Sequence, residues 1–281
     1  MPSYEKKGYL TTDFKIFHLK DTVLREFQYH YHEFDKIIIF LSGRVDYMIE
    51  GKSYALHPYD VVFVNRSDIH KPTIDFSQPY ERIIIYISPE FIKTYTAGAD
   101  DLGSCFKTVR EKQSHVLRLT LGKDQQLLAQ IARLSESLAD QDFAHDLYTR
   151  LLFLEFMVLL NRSLRRSDRE ETSASYDKKT LDLLNYINAN LLEDLSVDDL
   201  AQKFFISKYY MMRKFKAETG YTIHQYITDK RLLYARELIG HNVPLTKICF
   251  DCGFKDYSTF SRAFKAMFNC TPRTYKQGLH T

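Results

Sequence analysis

Three patterns of apolar and polar positions follow one another along the chain. Over residues 14–90 the apolar positions come in short runs rich in β-branched and aromatic side chains. These are Phe14-Lys-Ile-Phe17, Lys36-Ile-Ile-Ile-Phe-Leu41, Val45-Asp-Tyr-Met-Ile49, Val61-Val-Phe-Val64 and Arg82-Ile-Ile-Ile-Tyr-Ile87. Turn residues separate them at Ser42-Gly43, Glu50-Gly51, His57-Pro58 and Asn65-Arg-Ser-Asp68. That punctuation predicts short strands closed into a jelly-roll or barrel, which hides its sheet edges. Residues 91–122 carry weak signals, and Gly98 and Gly103 point to loops.

From Asp124 the period changes. Leu127, Leu128, Ile131, Leu134 and Leu138 recur at spacings of three and four, which predicts a helix. Asp140-Gln-Asp142 interrupts it, and a second helix carries Leu147, Leu151, Leu152, Leu154, Phe156, Met157, Leu159 and Leu160. That helix is apolar on nearly every side, and a barrel covers only one. Burial against a second copy of the chain is therefore expected, with Leu152 as the position to probe it. Ser167 to Ser175 is polar and aperiodic and reads as a linker.

The third pattern fills the last hundred residues. A helix is expected over about 178–192. Ser196 caps a short helix, Val197 to Phe204, with Asp198 and Asp199 in its first turn, where the dipole favours them. After a turn at Phe205-Ile206, Ser207 caps Lys208 to Thr219, and Gly220 ends it. A long helix, Ile223 to about Ile239, leads to Gly240-His-Asn-Val-Pro244. Then a short helix from Thr246, a turn at Gly253-Phe254 and a helix from Tyr257 to Phe268 repeat the arrangement. Arg213, Phe215, Lys216, Thr222 and Tyr226 recur as Arg262, Phe264, Lys265, Thr271 and Tyr275, always 49 residues on. A fixed offset means one supersecondary unit used twice. In the first copy Met211 and Phe215 share the packed face, while Tyr209, Met212, Arg213 and Lys216 face outward. In the second, Phe260 and Phe264 lie inside and Tyr257, Ser258, Ser261 and Arg262 outside. Cations beside a buried Phe suit a helix that packs on one side and meets a polyanion on the other. In a helix-turn-helix the second helix enters the major groove, where Arg pairs with guanine and Tyr or Met touches a thymine methyl.

Composition narrows the classes. The 281 residues allow two domains, and 44% hydrophobic content excludes a disordered chain. Net charge is only +3, but residues 177–281 hold 16 Lys and Arg against 11 Asp and Glu, so that part is basic and the remainder is not. Nothing approaches the roughly 18 apolar residues of a membrane span, and Met1 to Lys7 lacks the apolar stretch of a signal peptide. Cys249 and Cys252 have a redox or half-zinc spacing but no second ligand pair nearby, so buried thiols and a reducing, cytoplasmic setting are expected.

In the first region His30-Tyr-His32-Glu33, Gly51, Pro58-Tyr-Asp60 and His70 resemble the cupin pattern. Alternate strand residues share a face, so His30 and His32 can converge with a histidine from a facing strand. A metal-binding cupin carries a Glu after three or four residues intervening beyond its His-x-His, where this chain has Lys36 and Ile37. No metal and no cofactor are therefore expected. His30, His32 and His70, with Tyr47 and Tyr86 as aromatic platforms, are candidates to bind a small polar molecule. The pattern leaves open which face of each strand lines the pocket.

The last region resembles the AraC/XylS family of bacterial transcription regulators. The matching residues are Leu200-Ala201, Ser207, Arg213-x-Phe-Lys216, Gly220, Tyr226, Arg231, Ala235, Leu238, Ile248, Gly253-Phe254, Ser258-x-Phe-Ser-Arg-x-Phe-Lys265 and Pro272. Cys249 and Asn269 depart from it, where the family usually has Ala and Gly. The resemblance implies Tyr209, Met212, Arg213, Tyr257, Ser258, Ser261 and Arg262 at bases, and Lys216 and Lys265 at phosphate. It also implies a cupin-like sensor, a dimerisation helix, double-stranded DNA, a small-molecule effector and RNA polymerase as partners, and no catalysis. The expected organisation is a β jelly-roll over 1–120, a helical dimerisation segment over 121–166, a linker over 167–176 and an all-α tandem helix-turn-helix domain over 177–281. A carbohydrate effector is expected by analogy; a nitrogenous metabolite or a host-derived signal stays open. The rival readings are a metal-dependent cupin enzyme with a DNA-binding appendage and an architectural DNA-binding protein with an inert barrel.

Overall fold

A computed structural model describes residues 10–278 apart from 11, 23–26, 28, 98–99, 113, 140, 167–177 and 241–242. The expected linker, 167–176, lies outside the described residues. The chain divides into two units, Met1–Ser175 and Tyr176–Thr281.

In the first unit, strands β1 (Phe14–Asp21), β2 (Asp35–Ser42), β3 (Arg44–Ile49), β4 (Lys52–Ala55), β5 (Asp60–Val64), β6 (His70–Asp75) and β7 (Tyr80–Ile87) come first. Then follow helix α1 (Pro89–Thr94), the two-residue strands β8 (Thr96–Ala97) and β9 (Asp100–Asp101), helix α2 (Ser104–Lys112) and strand β10 (Val116–Arg118). Helices α3 (Gln125–Ser137) and α4 (His145–Arg165) close the unit. One antiparallel sheet has the order β1-β7-β2-β5-β10 and another the order β4-β3-β6. Strands β4, β6, β8, β9 and β10 add to those expected from the apolar runs; all are short, and β4 and β6 are largely polar, so their alternation is weak. Residues 91–122 hold α2 as well as loops: Cys105, Phe106 and Val109 bury one face of a helix whose other side is charged.

Strand alternation sorts the apolar side chains into two cores. Ile37, Ile39, Val61, Phe63, Ile83, Ile85 and Ile87 point to one face of the larger sheet and meet Phe91, Phe106, Leu134, Phe153, Phe156 and Leu160 from the helices. Ile38, Phe40, Val62, Val64 and Ile84 point the other way and meet Val45, Tyr47 and Ile49 of the smaller sheet. The second core is the barrel interior, so Tyr47 and Tyr86 lie on inward faces.

The packing corrects one expectation about α4. Leu152 is 2% exposed and belongs to the core between helices and sheet. It cannot also be the contact to a second chain. The apolar positions most open to solvent are Leu147 and Leu151, 59% and 56% exposed; Val158 is half-buried, and Leu154 is half-buried with part of its surface against the core. Their spacings of four, three and four make one seam along the helix.

The second unit holds α5 (Lys178–Ala189), α6 (Val197–Lys203), α7 (Lys208–Thr219), α8 (Ile223–Ile239), α9 (Leu245–Asp251), α10 (Tyr257–Phe268) and α11 (Pro272–Gly278). The 49-residue repeat is structural down to its caps. Ser207 accepts from Tyr210 N at the start of α7, and Asp256 accepts from Thr259 N at the start of α10. Gly220 and Asn269 end the same two helices in the left-handed region, at φ 77° and 59°. Phe215 meets Tyr226 edge-on at 5.6 Å, and Phe264 meets Tyr275 edge-on at 5.7 Å.

Candidate nucleic-acid interface and ligand site

The outer faces of α7 and α10 carry the candidate nucleic-acid contacts. On α7, Met211 and Phe215 are buried, which turns Tyr209, Met212, Arg213 and Lys216 to solvent. Tyr209 is 74% exposed, far more than a tyrosine that serves only packing. On α10, Phe260 and Phe264 are buried and Ser258, Arg262 and Lys265 are exposed. Tyr257 and Ser261 are half-buried, and the Tyr257 ring packs 5.7 Å from that of Phe260. Tyr257 thus splits its surface between the core and the outer face. Each helix starts on a capped N-terminus, where unsatisfied N–H groups and the helix dipole favour phosphate.

Arg231 on α8 ties the two helix-turn-helix units together, a role the sequence match did not assign. Its guanidinium donates to Leu191 O at 2.8 Å, Gly253 O at 2.8 Å and Glu193 O at 2.5 Å. One side chain therefore holds the segment before α6 and the turn after α9. Gly253 sits at φ 77°, and a Cβ there would lie 2.9 Å from Arg231 Cζ and 2.9 Å from Leu192 O. The matching position of the first helix-turn-helix, Phe205, also adopts positive φ (52°), and its ring is 95% exposed.

In the first unit the three candidate histidines come together. His30 and His70 exchange backbone hydrogen bonds (3.1 and 3.0 Å), and His32, two residues on, points the same way. The ring centroids lie 4.3 Å (His30–His70), 5.0 Å (His30–His32) and 5.0 Å (His32–His70) apart. One nitrogen from each lies within 4.8 Å of the others. Tyr47 stacks on His70 at 6.0 Å, and Tyr86 packs against Phe34 at 4.4 Å and His32 at 5.8 Å. All five candidates therefore line one region of the interior.

Lys36 joins them, and it was visible in the sequence only as a departure from the cupin pattern. It sits on the inward face of β2, alternating with Ile38, and is 6% exposed. Its ammonium donates to the Tyr47 hydroxyl at 3.4 Å. Burial, with the Arg82 charge adding, pulls the Lys36 pKa down to about 7. Burial likewise holds His70 well below the usual imidazole value, helped by the positive charges of Lys36, His30 and His32. Tyr47 is pushed well above the phenol range by burial and by Tyr80 and Tyr86. Three imidazoles offer a first-row metal three ligands. The cluster of three has no carboxylate member, and the Lys36 charge acts on His70, so the donor set fits a dication poorly.

The chain matches the AraC-like ligand binding domain over residues 18–157 and a helix-turn-helix domain over residues 200–278. It is similar to the HTH-type transcriptional activator RhaS of Citrobacter koseri, with 28% identity over 266 residues, 90% of this chain and 88% of that protein. Similarity to RhaS of Escherichia coli O6:H1 is 26% over 263 residues, again 90% and 88% of the two chains. A solved structure of an AraC-type transcriptional regulator from Chromobacterium violaceum is 30% identical, covering 36% of this chain and 91% of that one, with a TM-score of 0.34.

Proposed function

The chain belongs to the AraC family of transcription regulators, an effector-responsive and DNA-binding class, and from that we propose how its parts act. Helices α7 and α10 are the reading helices. Arg213 and Arg262, with Tyr209, Met212, Ser258 and Ser261, address base edges; Lys216 and Lys265 take phosphate. Tyr257 contributes its exposed edge. The observation that carries this reading is the repeat: two capped helices, one burying Met211 and Phe215 and the other Phe260 and Phe264, each with its Arg and Lys exposed, joined by α8 and locked by Arg231.

The barrel interior around His30, His32, His70, Tyr47 and Tyr86 takes the effector, and the bound form favours one arrangement of the chain over another. A ligand shifts that balance only through its differential affinity for the two. The seam of Leu147, Leu151, Leu154 and Val158 is the surface for a second copy: its heptad-like spacing suits a helix pair. The RhaS proteins are named activators, which supports an activator that works with RNA polymerase in the cytoplasm and not an enzyme.

Selection of binding sites from a random duplex pool by the full chain tests the core of this reading. The expected product contains two short conserved elements about one helical turn apart, roughly 10 bp. A pool without enrichment, or one with a single element, contradicts two reading helices.

A further inference from the structure

Among the described residues, the charged groups shown to act on the Lys36–His70 pair are bases. The charges that act on Lys36 and His70 are those of Arg82, Lys36, His30 and His32, all positive. The carboxylates close by in sequence have other hydrogen bonds: Asp35 accepts from Arg66 N at 2.8 Å, Asp68 from Asn65 N at 3.0 Å and Glu50 from Ile69 N at 2.7 Å. Burying an ammonium against a single hydroxyl at 3.4 Å is unfavourable, because one weak hydrogen bond does not replace its hydration.

His70 adds a second requirement. Its Nδ1 lies 3.0 Å from Asp68 O, and a carbonyl can only accept, so Nδ1 carries the proton. Nε2 is then a lone pair. Among the described residues it has no hydrogen-bond partner, and the residue is 0% exposed. The interior thus offers, from the larger sheet, a cation that calls for an anion and, from the smaller sheet facing it, an acceptor that calls for a donor. Tyr47 links them, since it receives the Lys36 hydrogen bond and stacks on His70.

We infer that the effector of this barrel is a hydroxylated carboxylic acid, a sugar acid in chemical class. Its carboxylate is received by the Lys36 ammonium and the Tyr47 hydroxyl, and one of its hydroxyls donates to His70 Nε2. The inference rests on the reading of the barrel as the effector site and names the chemistry that site selects. A neutral sugar satisfies His70 and leaves Lys36 without a counter-charge among the described residues. A bare metal dication satisfies His70 and is repelled by Lys36. An acid that also carries a hydroxyl satisfies both.

Isothermal titration and thermal melting of the full chain, freed of metal with a chelator, test this. The probes are galacturonate, glucuronate and gluconate, with galactose and glucose as their neutral counterparts. The expected result is that at least one acid binds and raises the melting temperature while its neutral counterpart does neither. Lys36→Met then weakens that binding about ten- to a hundredfold, the loss of a charge-assisted hydrogen bond. Lys36→Gln serves if the Met variant does not fold. A neutral sugar that binds as tightly as the acids, and equally well to Lys36→Met, overturns the inference but leaves the barrel as an effector site. Zinc alone binding one per chain, and lost in His70→Gln, overturns it in favour of a metal. Failure of every compound to bind the native chain overturns both the inference and the reading of the barrel.

Discussion

Replacing Lys36 by Met should stabilise the protein when no effector is bound, and the gain should depend on pH. The ammonium is buried on β2 and its pKa falls from 10.5 in the unfolded chain to about 7 in the folded one. Every tenfold loss of proton affinity corresponds to about 1.4 kcal/mol, so holding the charged form inside costs on the order of 4 kcal/mol near pH 7. The sign follows from proton counting. Between about pH 7 and 10.5 the unfolded chain holds the lysine proton and the folded chain does not, so stability rises with pH across that window. Below it both states are protonated and the folded state carries the whole penalty. The ionisable groups that touch or act on Lys36 are Tyr47 on β3, His70 on β6, and Arg82 and Tyr86 on β7. Burial raises Tyr80 to about 12 and Tyr47 well above the phenol range, so neither ionises in the window. Hydrogen exchange of β2 and β7 amides reads the stability of this unit separately from the second one. Lys36→Met should be more protected than native at pH 7, and the difference should shrink toward pH 10. No gain at pH 7, or a gain that ignores pH, refutes the burial argument.

Two further perturbations separate surface from core. Leu151→Asp should turn a dimer into a folded monomer by sedimentation, because Leu151 is 56% exposed; Leu152→Asp should unfold the first unit by several kcal/mol, because Leu152 is 2% exposed. A dimer that survives Leu151→Asp removes the seam from the account. Gly253→Ala should destabilise the second unit by about 1–3 kcal/mol, through positive φ and the approach of Arg231, as read by urea melts of the helical signal. Gly122, also at positive φ (94°), has nothing within 4 Å of an added Cβ and should tolerate alanine better.

The second unit was legible because its instructions are local. Ser207, Thr222 and Asp256 cap helices, Gly220 and Asn269 end them, and the Phe positions repeat at a fixed interval. None of that depends on which element packs where. The first unit was less legible because sidedness is a tertiary property. Val45, Tyr47 and Ile49 declare that they share a face, but only packing against Ile38, Phe40 and Val62 of the larger sheet makes that face the inner one. Leu152 and Leu151 are equally apolar neighbours, and only the packed sheet separates core from surface. The histidines were readable from their spacing. Lys36 was readable only as a residue out of place, since a lone cation in an apolar strand does not announce what surrounds it.

The central claim is that the two repeated helices read one DNA site together. The direct measurement is the affinity of Arg213→Ala and Arg262→Ala for the selected duplex and for random duplex at a fixed salt concentration. The account predicts a loss of about 1–3 kcal/mol for each variant on the selected site and a much smaller loss on random DNA. Equal losses on both duplexes, or no loss from one of the two arginines, contradict it.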